Sequence, residues 1–86
     1  MKKLAEKERN RVRKALNDLQ VVDGKASPVM ELVDSYSKDA EHFFKQGKYL
    51  EAFELFVYVF GLLDALARLK LIDPGESRKS YKIEQN

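Results

Sequence analysis

Eighty-six residues make one domain near the small end of what folds unaided, and with no cysteine and a single histidine neither a disulfide nor a structural zinc is expected to brace it. The lack of cysteine removes thiol chemistry and suits a reducing, cytoplasmic setting. The formal net charge of +2 hides an uneven distribution: residues 1–14 carry seven basic side chains against Glu6 and Glu8, for +5, while residues 15–64 carry −5 and residues 65–86 carry +2.

The first helix is expected from about Lys3 to Val21. Its second half places Val12, Ala15, Leu16, Leu19 and Val22 at three- and four-residue steps, an amphipathic face, and its first half is nearly all charge and extends past the core. No apolar stretch follows the basic start, so no leader is expected. Asp23-Gly24 breaks the helix, with Gly24 suited to the left-handed position past its end.

Ser27-Pro28 then sets a capping hydroxyl before a proline at the first helical position, where its missing N–H costs nothing. Val29, Val33, Tyr36, Ala40 and Phe43 form the seam of a second helix that Gly47 ends. Only Gly47 and Lys48 separate it from the next pattern, which predicts a tight antiparallel hairpin of helices two and three.

The third helix, about Tyr49 to Leu69, contains an uncharged run from Leu55 to Leu63, far short of the roughly 20 residues of a membrane span. No membrane association is expected. The helix carries two seams: Phe53, Phe56, Phe60, Leu63 and Ala67, and Leu55, Val59, Leu62, Leu66 and Leu69. They lie about 100° apart on the helical wheel, so one helix must face two neighbours. Phe53, Phe56 and Phe60 are expected to be nearly fully buried. Gly61, whose place inside a helix costs roughly 1 kcal/mol relative to alanine, is expected to lie near Tyr36 across the hairpin and to make room for a bulky ring or a close backbone. Asp73-Pro74-Gly75 stops the helix, and a polar, loosely ordered tail follows. The predicted fold is all-α, a three-helix up-down-up bundle over residues 1–72 with a polar C-terminal tail over 73–86.

The hairpin carries a resemblance. Tyr36, Asp39, Ala40, His42, Phe43, Gly47, Ala52, Phe53, Tyr58, Gly61, Leu63, Asp64, Ala65, Arg68 and Leu69 resemble the run that marks a small archaeal family, domain of unknown function 357. The chain departs from that pattern at Val59, where the family usually has Ala, and at Lys70, where Gly commonly follows Arg-Leu; the second departure implies a differently capped helix end. The resemblance implies an archaeal cytosolic protein with a compact three-helix bundle, and no particular activity. More loosely, Gly47, Tyr49, Ala52 and Phe56 are similar to the signature of tetratricopeptide-like helical hairpins, although no 34-residue repeat supports a solenoid. A lone bundle with this hairpin is also similar to the microtubule-interacting-and-trafficking domains, which bind partner helices in a groove.

No catalytic constellation is visible. A zinc site needs about three protein ligands and a di-iron bundle two Glu-x-x-His pairs, which one histidine cannot supply, so no cofactor or metal is expected and the chain reads as a non-enzyme. Tyr36, Asp39, His42, Tyr58, Asp64 and Arg68 read as a polar lock within the hairpin. The expected role is a non-catalytic protein-interaction or scaffold module, with a homodimer formed through under-covered surface at Tyr49, Leu50, Leu55, Val59 and Leu62. The alternative is an accessory nucleic-acid binder that touches phosphate through Lys2, Lys3, Lys7, Arg9, Arg11, Arg13 and Lys14, with Lys79, Tyr81 and Lys82 adding one stacking contact. The bland reading of the same charges is a solvated, salt-bridge-laced helix end.

Overall fold

A computed structural model describes residues 1–81. Three α-helices dominate it, α1 (Lys2–Asp18), α2 (Ser27–Lys45) and α3 (Tyr49–Arg68). Around them lie two short strands, β1 (Gln20–Val21) and β2 (Ile72–Asp73), a 3-10 turn over Gly24–Ala26 and a 3-10 helix over Gly75–Tyr81. The fold is all-α.

α3 lies against both α1 and α2. Its two seams become the core: Ala52, Phe56, Val59, Phe60, Leu63, Leu66 and Ala67 are buried, joined by Ala5, Val12 and Ala15 from α1 and Val33, Ala40 and Phe44 from α2. Phe53 is only half-buried, at the edge of the aromatic seam. The α2–α3 hairpin turns where the sequence places it. Gly47 takes a left-handed φ of 77°, which lets Lys48 N–H reach the carbonyl of Phe43 at 2.9 Å and Gly47 N–H that of Phe44 at 3.1 Å. These two bonds satisfy carbonyls the helix end would leave open. The Phe44 and Tyr49 rings close over the turn, centroids 5.2 Å apart.

Several local expectations need correction. α1 ends at Asp18, because Leu19 is extended (φ −76°, ψ 154°) and Gln20 and Val21 beyond it leave the helix to form strand. Gln20 pairs with Asp73 and Val21 with Ile72, antiparallel, and Val22 N–H bonds the carbonyl of Leu71 at 3.0 Å. Gly24 therefore opens a 3-10 turn rather than capping α1. Ser27 sits inside α2 and caps nothing; the turn before it is held by Asp23, whose carboxylate accepts from Lys25 N–H at 2.8 Å.

The segment after α3 is the largest departure. As far as Tyr81 it is not a loose tail: the 3-10 helix packs on α1, with Ser77 and Tyr81 buried. Ser77 Oγ–H donates to Asp18 Oδ2 at 2.7 Å, and the Tyr81 ring lies 4.9 Å from that of Phe60. The hydroxyl and ring of two residues in a polar stretch supply this docking, which hydrophobic periodicity does not reveal.

α3 ends in the same cap as α2. Leu71 N–H bonds the carbonyl of Leu66 at 2.9 Å and Lys70 N–H that of Ala67 at 3.0 Å, with Lys70 at a left-handed φ of 62°. The cap is thus the one a glycine would form, built with a lysine, and not the different helix end that the departure at position 70 implied.

Candidate functional site

At about 100° per residue, the strip of α3 opposite its two seams faces away from both neighbouring helices. Leu50, Glu54, Val57, Gly61, Ala65 and Arg68 occupy that strip, and every one of them is exposed. Tyr58 and Leu69 border it, 51% and 68% exposed, and Val57 is 40% exposed. Gly61 lies at its centre, where an added Cβ would meet nothing within 4 Å. Neither a ring nor a close backbone of the described chain fills that space, so the role expected for Gly61 inside the hairpin is incorrect. The ring of Tyr36 instead meets Tyr58 edge-on at 5.3 Å, one turn earlier along α3.

The predicted partner surface is only partly a surface. Leu50 is 53% exposed, but Tyr49, Leu55 and Leu62 are half-buried against the core and Val59 is completely buried. The under-covered region lies one strip further round the helix, at Val57, Gly61 and Ala65. The signal for it was present in the sequence, since these residues recur at steps of four on the face opposite both seams.

The six residues of the predicted polar lock do not converge. Tyr36 and Tyr58 meet edge-on between α2 and α3, whereas Asp64 Oδ2 accepts from Arg68 Nε at 3.1 Å on the other side of the outward strip. Positions 58 and 64 are about 120° apart on one helix, so no single cluster can hold both. Asp39 and His42 are exposed. His42 lines a shallow cavity of about 330 Å³ with Leu16, Ser37, Lys38, Glu41 and Lys45. The Ser37 hydroxyl there is buried with no hydrogen-bond partner among the described residues.

Asp64 belongs to a different cluster. Its Oδ1 and the hydroxyl of Tyr81 are both buried without a hydrogen-bond partner among the described residues. Burial, with the charges of Asp64 and Asp18 adding to it, pushes the Tyr81 hydroxyl up to about 12. Tyr81, 1% exposed, is unavailable for stacking a base, and Lys82 lies outside the described residues.

Most of the basic arm is engaged within the chain. The guanidinium of Arg9 lies 4.0 Å from the Phe44 ring centroid and that of Arg11 3.9 Å from Phe60, close enough for cation–π attraction. Arg11 also pairs with Glu8. Arg13 forks onto Glu41 of α2, Nε and Nη2 each donating at 2.7 Å, and this raises its already high pKa. Lys14 holds Asp18 at 2.8 Å, and Lys2 lies 5.9 Å from the Tyr49 ring. Lys3 and Lys7 point outward from α1 and are exposed.

A second cavity, about 320 Å³, lies past the end of α3, where Arg68, Lys70 and Arg78 stand over Ala67, Ile72 and Pro74. Asp73 shares its wall, 3.7 Å from Arg78. Cations at a helix C-terminus are what the helix dipole favours, so their gathering here has a structural cause.

Among the described residues, no group of three or more His, Cys, Asp or Glu side chains is placed to hold a metal ion, and no helix is long and apolar enough to cross a membrane. The fold and the exposed strip define a small all-α domain built around a helical hairpin. The chain belongs to the family described as protein of unknown function (DUF357), whose sequence model matches residues 2–72. No curated protein and no solved structure shows a significant match to it. The family assigns no specific function.

Proposed function

We propose that the chain is a non-catalytic interaction module that offers the outward strip of α3 to a protein partner. The observation that carries this is Gly61. A mid-helix glycine weakens a helix by roughly 1 kcal/mol relative to alanine, and nothing within the described chain uses the space it leaves. A partner backbone approaching closely at that point gives the glycine a role, and the flanking Val57, Tyr58 and Leu69 give such a partner apolar surface to cover.

The rest of the molecule supports a rigid scaffold for that strip. Lys2 near Tyr49, Arg11 near Phe60 and the Tyr36–Tyr58 pair favour an up-down-up course, with α1 and α3 running the same way and α2 against them. The cysteine-free composition supports a cytoplasmic setting.

A photoreactive amino acid placed at Val57 tests this reading. In native lysate it is expected to give a discrete adduct that Gly61→Gln abolishes, while the same probe at Lys7 gives none. No adduct at Val57 would overturn it.

Exposed Lys3 and Lys7 favour a second reading, a nucleic-acid contact through α1. With Arg9, Arg11, Arg13 and Lys14 holding other side chains, few charges remain for phosphate, so the expected binding is weak and falls steeply with salt. Absence of binding to single- or double-stranded RNA or DNA at low salt retires it.

A further inference from the structure

The outward strip of α3 is charged in a self-complementary way, and we infer that its partner is a second copy of this chain, docked antiparallel with the two-fold axis at Gly61. The inference rests on the reading of that strip as a protein-contact surface and names what contacts it.

An antiparallel helix pair centred on one residue sets positions equally far before and after that residue opposite each other. Glu54 lies seven residues before Gly61 and Arg68 seven after it, so each copy's Glu54 meets the other's Arg68, twice over. Val57 and Ala65, four residues to either side, meet in the same way. All four side chains are exposed in the single chain. A parallel arrangement would instead set Glu54 against Glu54 and Arg68 against Arg68, and like charges brought together disfavour it. The same polarity continues outward, with Glu51 at the start of α3 and Lys70 just past its end.

Arg68 already donates to Asp64 on its own helix. A guanidinium has five N–H donors in a fork, so serving a second carboxylate across the interface is within its chemistry. The apolar centre of the contact is small: Gly61 at the crossing point, then Val57 against Ala65. Interaxial distance is set by the side chains at the crossing, and a glycine there gives the closest approach. Bulkier Leu50, Tyr58 and Leu69 at the margins bury further surface as the helices close. Exposed ion pairs contribute little affinity by themselves. Their role here is to choose orientation and register.

The test is the molar mass of the purified chain by light scattering, over a hundredfold range of concentration. The wild-type mass is expected to rise from monomer to dimer. Glu54→Arg alone, and Arg68→Glu alone, are each expected to weaken the dimer at least tenfold while the chain stays folded, Arg68→Glu with a somewhat lower melting temperature because it also gives up the Asp64 pair and a favourable charge at the helix end. An equimolar mixture of the two variants is expected to recover dimer. In every mixed pair the reversed charge at position 54 of one variant meets the reversed charge at position 68 of the other, and the unaltered Arg68 meets the unaltered Glu54. A monomer mass throughout for the wild type overturns the inference. So does a dimer that neither charge reversal disturbs, since its interface then lies elsewhere. A wild-type monomer that still gives a Val57 adduct to a different protein would sink the second copy and leave the interaction reading standing.

Discussion

A Cβ on Gly75 would lie 2.6 Å from the carbonyl oxygen of Asp18, closer than non-bonded atoms come. Gly75 also has a left-handed φ of 63°. The missing side chain is what lets the segment after β2 pass over the end of α1, and the obstacle is backbone, which cannot swing aside. Gly75→Ala is therefore expected to destabilise the chain by about 2–4 kcal/mol, combining left-handed strain with a displaced 3-10 helix. Urea unfolding measures it. An unchanged midpoint would show that the docking of this segment adds nothing to the stability of the bundle.

Asp18 is the other half of that junction. Its carboxyl is held below the ordinary value of 3.8, chiefly by the Lys14 ammonium and then by the Ser77 hydroxyl. The unfolded chain thus takes up the proton first as pH falls. Stability from Asp18 is complete above 3.8 and is lost as pH drops through that value and through the lower one of the folded state. Asp18→Asn is expected to lower the melting temperature at pH 7 and to converge with the wild type in strong acid. Parallel melting curves from pH 7 to pH 2 would count against the assignment.

Tyr81 behaves in the opposite sense. Its hydroxyl ionises at an ordinary 10.0 when unfolded but near 12 in the folded chain. A raised value means stability is full below pH 10 and declines as pH climbs toward 12. The hydroxyl is also buried without a partner among the described residues, an arrangement that costs about 1–3 kcal/mol. Tyr81→Phe keeps the ring against Phe60 and removes both effects. It is expected to gain about 1 kcal/mol at neutral pH and to lose the alkaline decline, as read by denaturant unfolding at pH 7 and 11. A loss of stability at neutral pH would mean that the hydroxyl makes a bond that matters.

How much of this was legible depends on the range of the interaction. The α2–α3 hairpin follows from Gly47 and from apolar spacing within a few residues, both visible locally. The end of α1 does not, because Gln20 to Val22 leave the helix to pair with Leu71 to Asp73, some fifty residues away. The docked 3-10 helix was hidden for a related reason. Its anchors, Ser77 on Asp18 and Tyr81 on Phe60, are isolated residues in a polar segment. The basic arm misled in another way. Net charge counts side chains without saying what they lie against, and Arg9 and Arg11 lie on aromatic rings of the core. The outward strip of α3 is legible as the helix positions that belong to neither seam.

Lys70 offers the sharpest check on the backbone. It is the one non-glycine residue with a positive φ among those described, and it stands at the end of α3 where Gly47 stands at the end of α2. Both positions close the same pair of capping hydrogen bonds, so the comparison holds hydrogen bonding constant. A side chain in the left-handed region is disfavoured by roughly 1–2 kcal/mol, and glycine avoids that penalty while gaining freedom in the unfolded chain. Lys70→Gly is accordingly expected to stabilise the protein by about 0.5–1 kcal/mol once that extra freedom is subtracted. Lys70 also shares a cavity wall with Arg68 and Arg78, so relief of charge crowding would mimic the effect. Lys70→Ala separates the two causes, since it removes the charge and keeps a Cβ at the same φ. Stability should rise for glycine and stay near the wild-type value for alanine. An equal gain from both would assign the effect to charge and remove backbone strain from the account.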